Sequence, residues 1–202
     1  MICVIDYGMG NLRSVAKALE KAGGGVQVSS QASDLEKAEK IVLPGVGGFG
    51  DGTEELKKRG LFEPIRQNLL QGKPFLGICL GMQLLFDESE ESPGVPGLGF
   101  FRGKVQRFRS PSVKIPHMGW NEVKQNSPGL QAFQDLKNND YFYFVHSYYP
   151  VPDEKRLIQG SCEYGGETFG AFMVQGKVWA CQFHPEKSQD AGLRLLKNFV
   201  SS

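Results

Sequence analysis

Cys79 lies in "FLGICLGMQLLF" (residues 75 to 86), with glycines at 77 and 81, two places to either side. A G-x-C-x-G pattern between an apolar run and an apolar-periodic segment is the thiol form of a nucleophile elbow. In such an elbow, small flanking residues let a strained strand-to-helix turn lift a reactive atom above the strand ends. A helix beginning there favours the thiolate and points N–H groups at a developing oxyanion. A free cysteine in an apolar run is more often a small core residue, as Cys3, Cys162 and Cys181 are expected to be. The flanking glycines count against that for Cys79 without settling it, because a nucleophile also needs a base.

Of three histidines, His184 in "CQFHPEKS" has the most suggestive neighbours. Pro185 holds the residue before it extended, and residues two apart in extended chain share a side. Glu186 can then accept a hydrogen bond from one ring nitrogen and leave the other free as a base, which makes Cys79, His184 and Glu186 a geometrically reasonable triad. His117 and His146 are expected to be structural. "LPGVGGFG" (43 to 50) has four glycines in eight residues after a strand. Its amides can approach a ligand closely or turn over, which suits an oxyanion loop, but the same residues suit a tight connection equally well. "DYGMGN" near the start is a weak anion-site signal, because it lacks the third glycine of a dinucleotide fingerprint.

Positioning these residues takes alternating strands and helices. "ICVID", "VQVSS", "KIVLPGVG" and "PFLGIC" are expected as strands. "NLRSVAKALEKAGG", with Gly23 and Gly24 as its stop, and "GTEELKKRGLFEPIRQNLLQG" are expected as helical. That alternation implies an α/β fold with a central, mostly parallel twisted sheet flanked by helices. From about Gly97, short strands with glycine-rich turns are expected to add antiparallel pairs to that sheet, and "AGLRLLKNFV" is the closing helix. No repeat or linker interrupts the 202 residues, so one domain spanning 1–202 is expected.

The 40% hydrophobic and 22% charged composition is that of an ordinary globular chain. With a net charge of +1 and no basic tract, nucleic acid is not an expected partner. The N-terminus carries neither a basic lead nor a long apolar stretch, so no membrane role and a cytoplasmic location are expected, with four reduced cysteines.

"GICLGMQLLF", "PGVGGFGD" and "FHPEKS", in that order, resemble the class I (triad) glutamine amidotransferases, which release ammonia from glutamine for a synthase. "VIDYGMGNLRSV", "GICLGMQLLFDESEE", "IPHMGWN" and "YFVHSYY" more closely resemble the glutaminase subunits of imidazole glycerol phosphate synthase, over nearly the whole chain. "PHMGWN" is the stretch that sister amidotransferases lack.

The resemblance implies Cys79 as nucleophile, His184 as base and then acid, and Glu186 as the residue that orients it. It also implies an oxyanion hole from Leu80 and the Val46 to Gly47 turn. Gly45, Gln83, Glu91, Ser147 and Tyr148 are implied to contact glutamine. On their own residue types, Gln83 equally suits an exposed helix position, Glu91 a solvated acidic run and Tyr148 a packed aromatic. Neither metal nor organic cofactor is implied. The implied partner is a barrel-shaped cyclase subunit in a heterodimer, met by Asn11, Met118, Trp120, Tyr143 and Lys187; Met118 and Trp120 suit an interface or the chain's own core. Three other readings stay open: service to another synthase, a stand-alone γ-glutamyl thiol hydrolase, and a scaffold subunit without catalysis.

Overall fold

The computed structural model describes residues 1–202. Short β-branched and apolar runs form the strands β1 (Ile2–Ile5), β2 (Val26–Ser29), β3 (Lys40–Leu43) and β4 (Phe75–Ile78). Between them lie α1 (Leu12–Lys21), α2 (Ala32–Lys37), α3 (Phe49–Lys58) and α4 (Phe62–Leu70). A one-turn helix α5 (Leu80–Gln83) follows β4. Then come β5 (Phe86–Ser89), β6 (Phe101–Arg107), β7 (His117–Gln125), β8 (Asp140–His146), β9 (Tyr148–Pro152), β10 (Ile158–Tyr164), β11 (Glu167–Gln175), β12 (Val178–Cys181) and α6 (Gln189–Ser201).

Nine strands form one sheet in the order β2-β1-β3-β4-β12-β11-β10-β7-β8. Its first five strands are parallel and the rest antiparallel. Every residue of β1, β4 and β12 is buried, as expected of parallel strands covered on both faces. One core joins Val15 and Leu19 of α1 with Leu195, Leu196 and Phe199 of α6. The other gathers Leu35, Leu56, Ile65 and Leu69 from α2, α3 and α4. Asn11 caps α1 by accepting from Ser14 N–H at 3.4 Å, and Gly23 at φ +97° ends it. No helix is long and apolar enough to cross a membrane.

Three local readings of the sequence need correction. The helical stretch from Gly52 to Gly72 is two helices, because the chain turns at Gly60 (φ +68°), and α3 begins earlier, at Phe49. The segment after Cys79 stays helical for only one turn before Phe86 starts a strand. Leu84 carbonyl accepts there from Leu98 N–H and Phe86 carbonyl from Gly99 N–H, so the 97–99 segment draws the apolar run into sheet pairing. Finally, β5, β6 and β9 form a separate three-stranded sheet instead of extending the large one. α2, with Leu35 buried, carries too short a period to be read from "ASDLEK".

The elbow depends on close backbone approach. A Cβ at Gly81 would overlap the Leu43 carbonyl, and one at Gly77 would sit 2.8 Å from Gly81 O. Gly81→Ala should therefore destabilise the fold by about 3 kcal/mol, because backbone cannot move aside as a flexible side chain can. A urea midpoint unchanged from wild type would contradict this packing.

Candidate active site

Cys79 adopts φ 54°, ψ −109°, a backbone conformation that costs a non-glycine residue about 1 to 3 kcal/mol. It is held there because β4 and β12 pair in parallel through Cys181↔Ile78, and Cys79 N–H continues the ladder to Cys181 O at 2.8 Å. Cys79 carbonyl then accepts from Met82 and Gln83 N–H, which closes the single turn of α5. The Leu80 N–H heads that turn, where helical amides have no intrahelical partner. A helix this short carries far less dipole than the longer one expected from sequence, so the turn's local N–H groups matter more than any macrodipole.

His184 ends the extended segment after β12, and both its side chain and that of Glu186 are 2% exposed. Its Nδ1 lies 2.8 Å from Glu186 Oε1; a carboxylate only accepts, so Nδ1 carries the proton. Glu186 reaches the ring through the 3₁₀ turn Pro185–Lys187, not by the strand alternation expected from sequence. Nε2 is buried without a hydrogen-bond partner. Burial alone lowers the His184 pKa, but the neighbouring Cys79 sulfur and the Glu186 carboxylate outweigh it and push it up to about 10. The backbone of His184 is clamped: its N–H donates to Tyr143 O at 2.9 Å, and its carbonyl accepts from Ser188 Oγ at 2.6 Å. Ser188 Oγ in turn accepts from Tyr143 N–H.

Cys79 and His184 face a cleft of about 410 Å3, a size suited to one small polar metabolite. Val46, Gly47, Leu80, Gln83, Glu91, Ser147 and Tyr148 are among the residues that line it. Gly47 takes φ +102°, the conformation expected of a loop that only glycine tolerates. Gly45 is not a lining residue; it packs behind the loop, where a side chain would overlap the Tyr7 hydroxyl and approach Leu80 Cβ at 2.9 Å. Glu91 is partly committed, since its Oε2 accepts from Phe49 N–H at 2.8 Å and so caps α3 just after the glycine loop. Gln83 is buried and not an exposed helix residue. A second groove, of about 480 Å3 beside Asn121, Tyr141 and Thr168, has Cys162 with Glu122 and Glu163 but no histidine, and burial pushes the Cys162 thiol up, away from a reactive thiolate.

The remaining predicted residues lie outside the cleft. Met118 and Trp120 are 62% and 45% exposed, which removes them from the core. Trp120 of β7 stands edge-on to Tyr143 of β8 at 6.1 Å, and Lys187 Nζ, from the 3₁₀ turn, lies 5.8 Å from the Tyr143 ring centre, so the three form one strip. Asn11 is exposed at the start of α1. Gln182 and Ser188 were missed from sequence. Gln182 is fully buried, and its Nε2 lies 3.7 Å from Cys79 Sγ. The signal available for it was a lone polar residue in the otherwise apolar stretch from Val178 to Phe183.

The arrangement suits attack of a thiolate on a carbonyl, with a histidine to move the proton. The glutamine amidotransferase class-I family profile matches residues 3–202. The chain is 50% identical over 200 residues to the imidazole glycerol phosphate synthase subunit HisH of Synechocystis sp., covering 98% of this chain and 95% of that one. The same subunit of Synechococcus elongatus is 48% identical over 201 residues, covering 99% and 92%. In fold, the chain is similar to a glutamine amidotransferase crystal structure at TM-score 0.73 and 20% identity, with full coverage of both chains. It is also similar to a chain of PurLQS from Thermotoga maritima at TM-score 0.78 and 20% identity, covering 99% and 97%. With its fold, its elbow cysteine and these relatives in agreement, the chain belongs to the class-I glutamine amidotransferase family.

Proposed function

We propose that this chain is the glutaminase subunit of an imidazole glycerol phosphate synthase and hydrolyses glutamine to glutamate and ammonia through Cys79. The observation that carries this is a cysteine in a strained elbow beside a buried histidine–carboxylate pair whose free nitrogen has no other partner. The relatives, all named as subunits of that synthase, favour it over service to another synthase, a solitary thiol hydrolase or a silent scaffold.

In the reaction, the Cys79 thiolate attacks the side-chain amide carbon of glutamine. The oxyanion meets Leu80 N–H and an N–H of the Val46 to Gly47 turn. Protonated His184 gives its proton to the departing nitrogen, so ammonia leaves and a γ-glutamyl thioester remains. Neutral His184 then takes a proton from water, hydroxide adds to the thioester, and collapse releases glutamate and restores the thiolate and imidazolium. Glu186 holds the ring's tautomer throughout and stabilises its positive charge. Gln83 Oε1, to which nothing in the chain donates, and Glu91 suit the substrate's ammonium, while Ser147 and Tyr148 flank its carboxylate.

Ammonia would pass to a barrel-shaped cyclase subunit docked on the strip of Met118, Trp120, Tyr143 and Lys187, with Asn11 at its margin, in a cytoplasmic heterodimer. Exposed Trp and Tyr with a nearby cation are the composition of an interface centre. The strip adjoins the chemistry, because Tyr143 holds the backbone of His184 from the same strand.

Cys79→Ala should lower glutamine turnover by about a thousandfold or more and spare synthesis driven by added ammonium salt with the cyclase. Equal loss with both nitrogen sources would oppose the assignment. Glu186→Gln should retain at least about tenfold more turnover than His184→Ala, since the amide still bonds the ring but supplies no charge. Equal inactivity in two folded variants would instead make Glu186 a direct participant. Trp120→Ala should weaken cyclase binding by about thirtyfold, the loss of about 2 kcal/mol, at an unchanged melting temperature. A large fall in melting temperature with normal binding would put the indole in a structural role.

A further inference from the structure

We infer that Gln182 is a positioning residue that presents a hydrogen-bond donor to the Cys79 sulfur, its direction fixed through Gln83 by the carbonyl of Tyr148. The inference rests on Cys79 being the nucleophile and adds a group that none of the sequence motifs singled out.

The direction follows from what each atom can do. A backbone carbonyl only accepts, so Gln83 must turn its amide nitrogen toward Tyr148 O, at 3.0 Å. The same nitrogen has a second hydrogen, and it reaches Gln182 Oε1 at 3.0 Å. Reversing Gln182 would set two NH2 groups face to face. Reversing both glutamines would set the Gln83 oxygen against the Tyr148 carbonyl. The arrangement left points Gln182 Nε2 at Cys79 Sγ, 3.7 Å away. Gln182 cannot turn elsewhere at low cost, because it is fully buried and its own N–H is fixed to Ala171 O at 2.9 Å.

The Tyr148 carbonyl is itself held from the other side. His146 Nδ1 lies 2.8 Å from it and must carry a proton, so Nε2 of that ring accepts from His117 Nδ1 at 3.0 Å. His117 Nε2 then accepts from Asn121 Nδ2, which also donates to Glu163 O. Burial lowers the pKa of His117 to about 4 and of His146 to about 3, so neither ring gains the second proton that would reverse this arm near neutral pH. Both side-chain chains therefore run into one carbonyl, and the two histidines that the reaction does not use acquire a purpose.

The groups facing Cys79 are few. Burial raises the pKa of nearby Tyr7 and Cys181, keeping both neutral, while Glu91 and neutral His146 line the same cleft. His184, with Glu186 behind it, is the charged partner. Gln182 N–H is the neutral side-chain donor at the sulfur, beside that charged partner.

Gln182→Met keeps the side-chain length and removes the donor. The pH midpoint for alkylation of Cys79 by iodoacetamide should rise by about one unit in the variant, with kcat reduced severalfold and KM little changed. A folded variant with the wild-type midpoint overturns the inference. The wild-type chain gives a second measurement that does not depend on the variant folding. With its side-chain amides labelled with ¹⁵N, the Gln182 Nε2–H resonance should move as Cys79 titrates and again on alkylation, and a resonance that moves in neither case overturns the inference. Failure of the underlying assignment looks different: wild-type Cys79 would react no faster than the same thiol in unfolded chain, and the inference would fall with it.

Discussion

The parallel pairing of β4 with β12 is the constraint on which the site depends, because it delivers the two halves of the chemistry to the same place from positions far apart in the chain. β4 ends at Ile78 and hands Cys79 to the elbow; β12 ends at Cys181 and hands on Gln182 and then His184. The ladder bond from Cys79 N–H to Cys181 O fixes the cysteine at an unfavourable φ, and the surrounding burial holds that strain in place. Gly77 and Gly81 give up side chains so that Leu43 and the turn of α5 can close around it. A change that moves β12 by one residue against β4 would separate sulfur from imidazole without touching either.

A second layer of hydrogen bonds joins this pair to the outer antiparallel strands. Tyr143 of β8 binds the His184 backbone directly and again through Ser188, while its ring stands in the exposed strip with Trp120 and Lys187. On the neighbouring strand, His117 and Asn121 point inward and Met118 and Trp120 outward, the ordinary alternation of a strand with one buried face. The same two strands thus carry a solvent-facing aromatic surface and the rear supports of the cleft. A partner pressing on that surface has short, bonded routes to both His184 and the Tyr148 carbonyl, and such coupling requires that these supports have two arrangements.

Much of this was legible in the sequence, and the reasons differ by residue. The elbow cysteine, its glycines and His184 with Pro185 were readable because each rests on local backbone chemistry. The parallel half of the sheet was readable from strands alternating with helices. The separate three-stranded sheet was not, because β5, β6 and β9 pair through contacts distant in sequence, and "LGMQLLF" looks helical until Leu98 and Gly99 bind it. Gln182 and Ser188 were missed for a related reason: a polar residue just past a strand end or at a helix start does not announce which buried partner it meets. Glu91 shows the opposite case, a carboxylate in an acidic run whose cap on α3 appears only in three dimensions.

In the proposed reaction, carbon–nitrogen cleavage proceeds through a covalent bond to the Cys79 sulfur. The most direct measurement is acid quenching of the complex during glutamine turnover, followed by mass spectrometry of the cysteine-containing peptides. A γ-glutamyl adduct on the Cys79 peptide, absent from those of Cys3, Cys162 and Cys181 and removed by hydroxylamine, is the predicted result. Steady turnover with no adduct on Cys79, or an adduct on another cysteine, would contradict it.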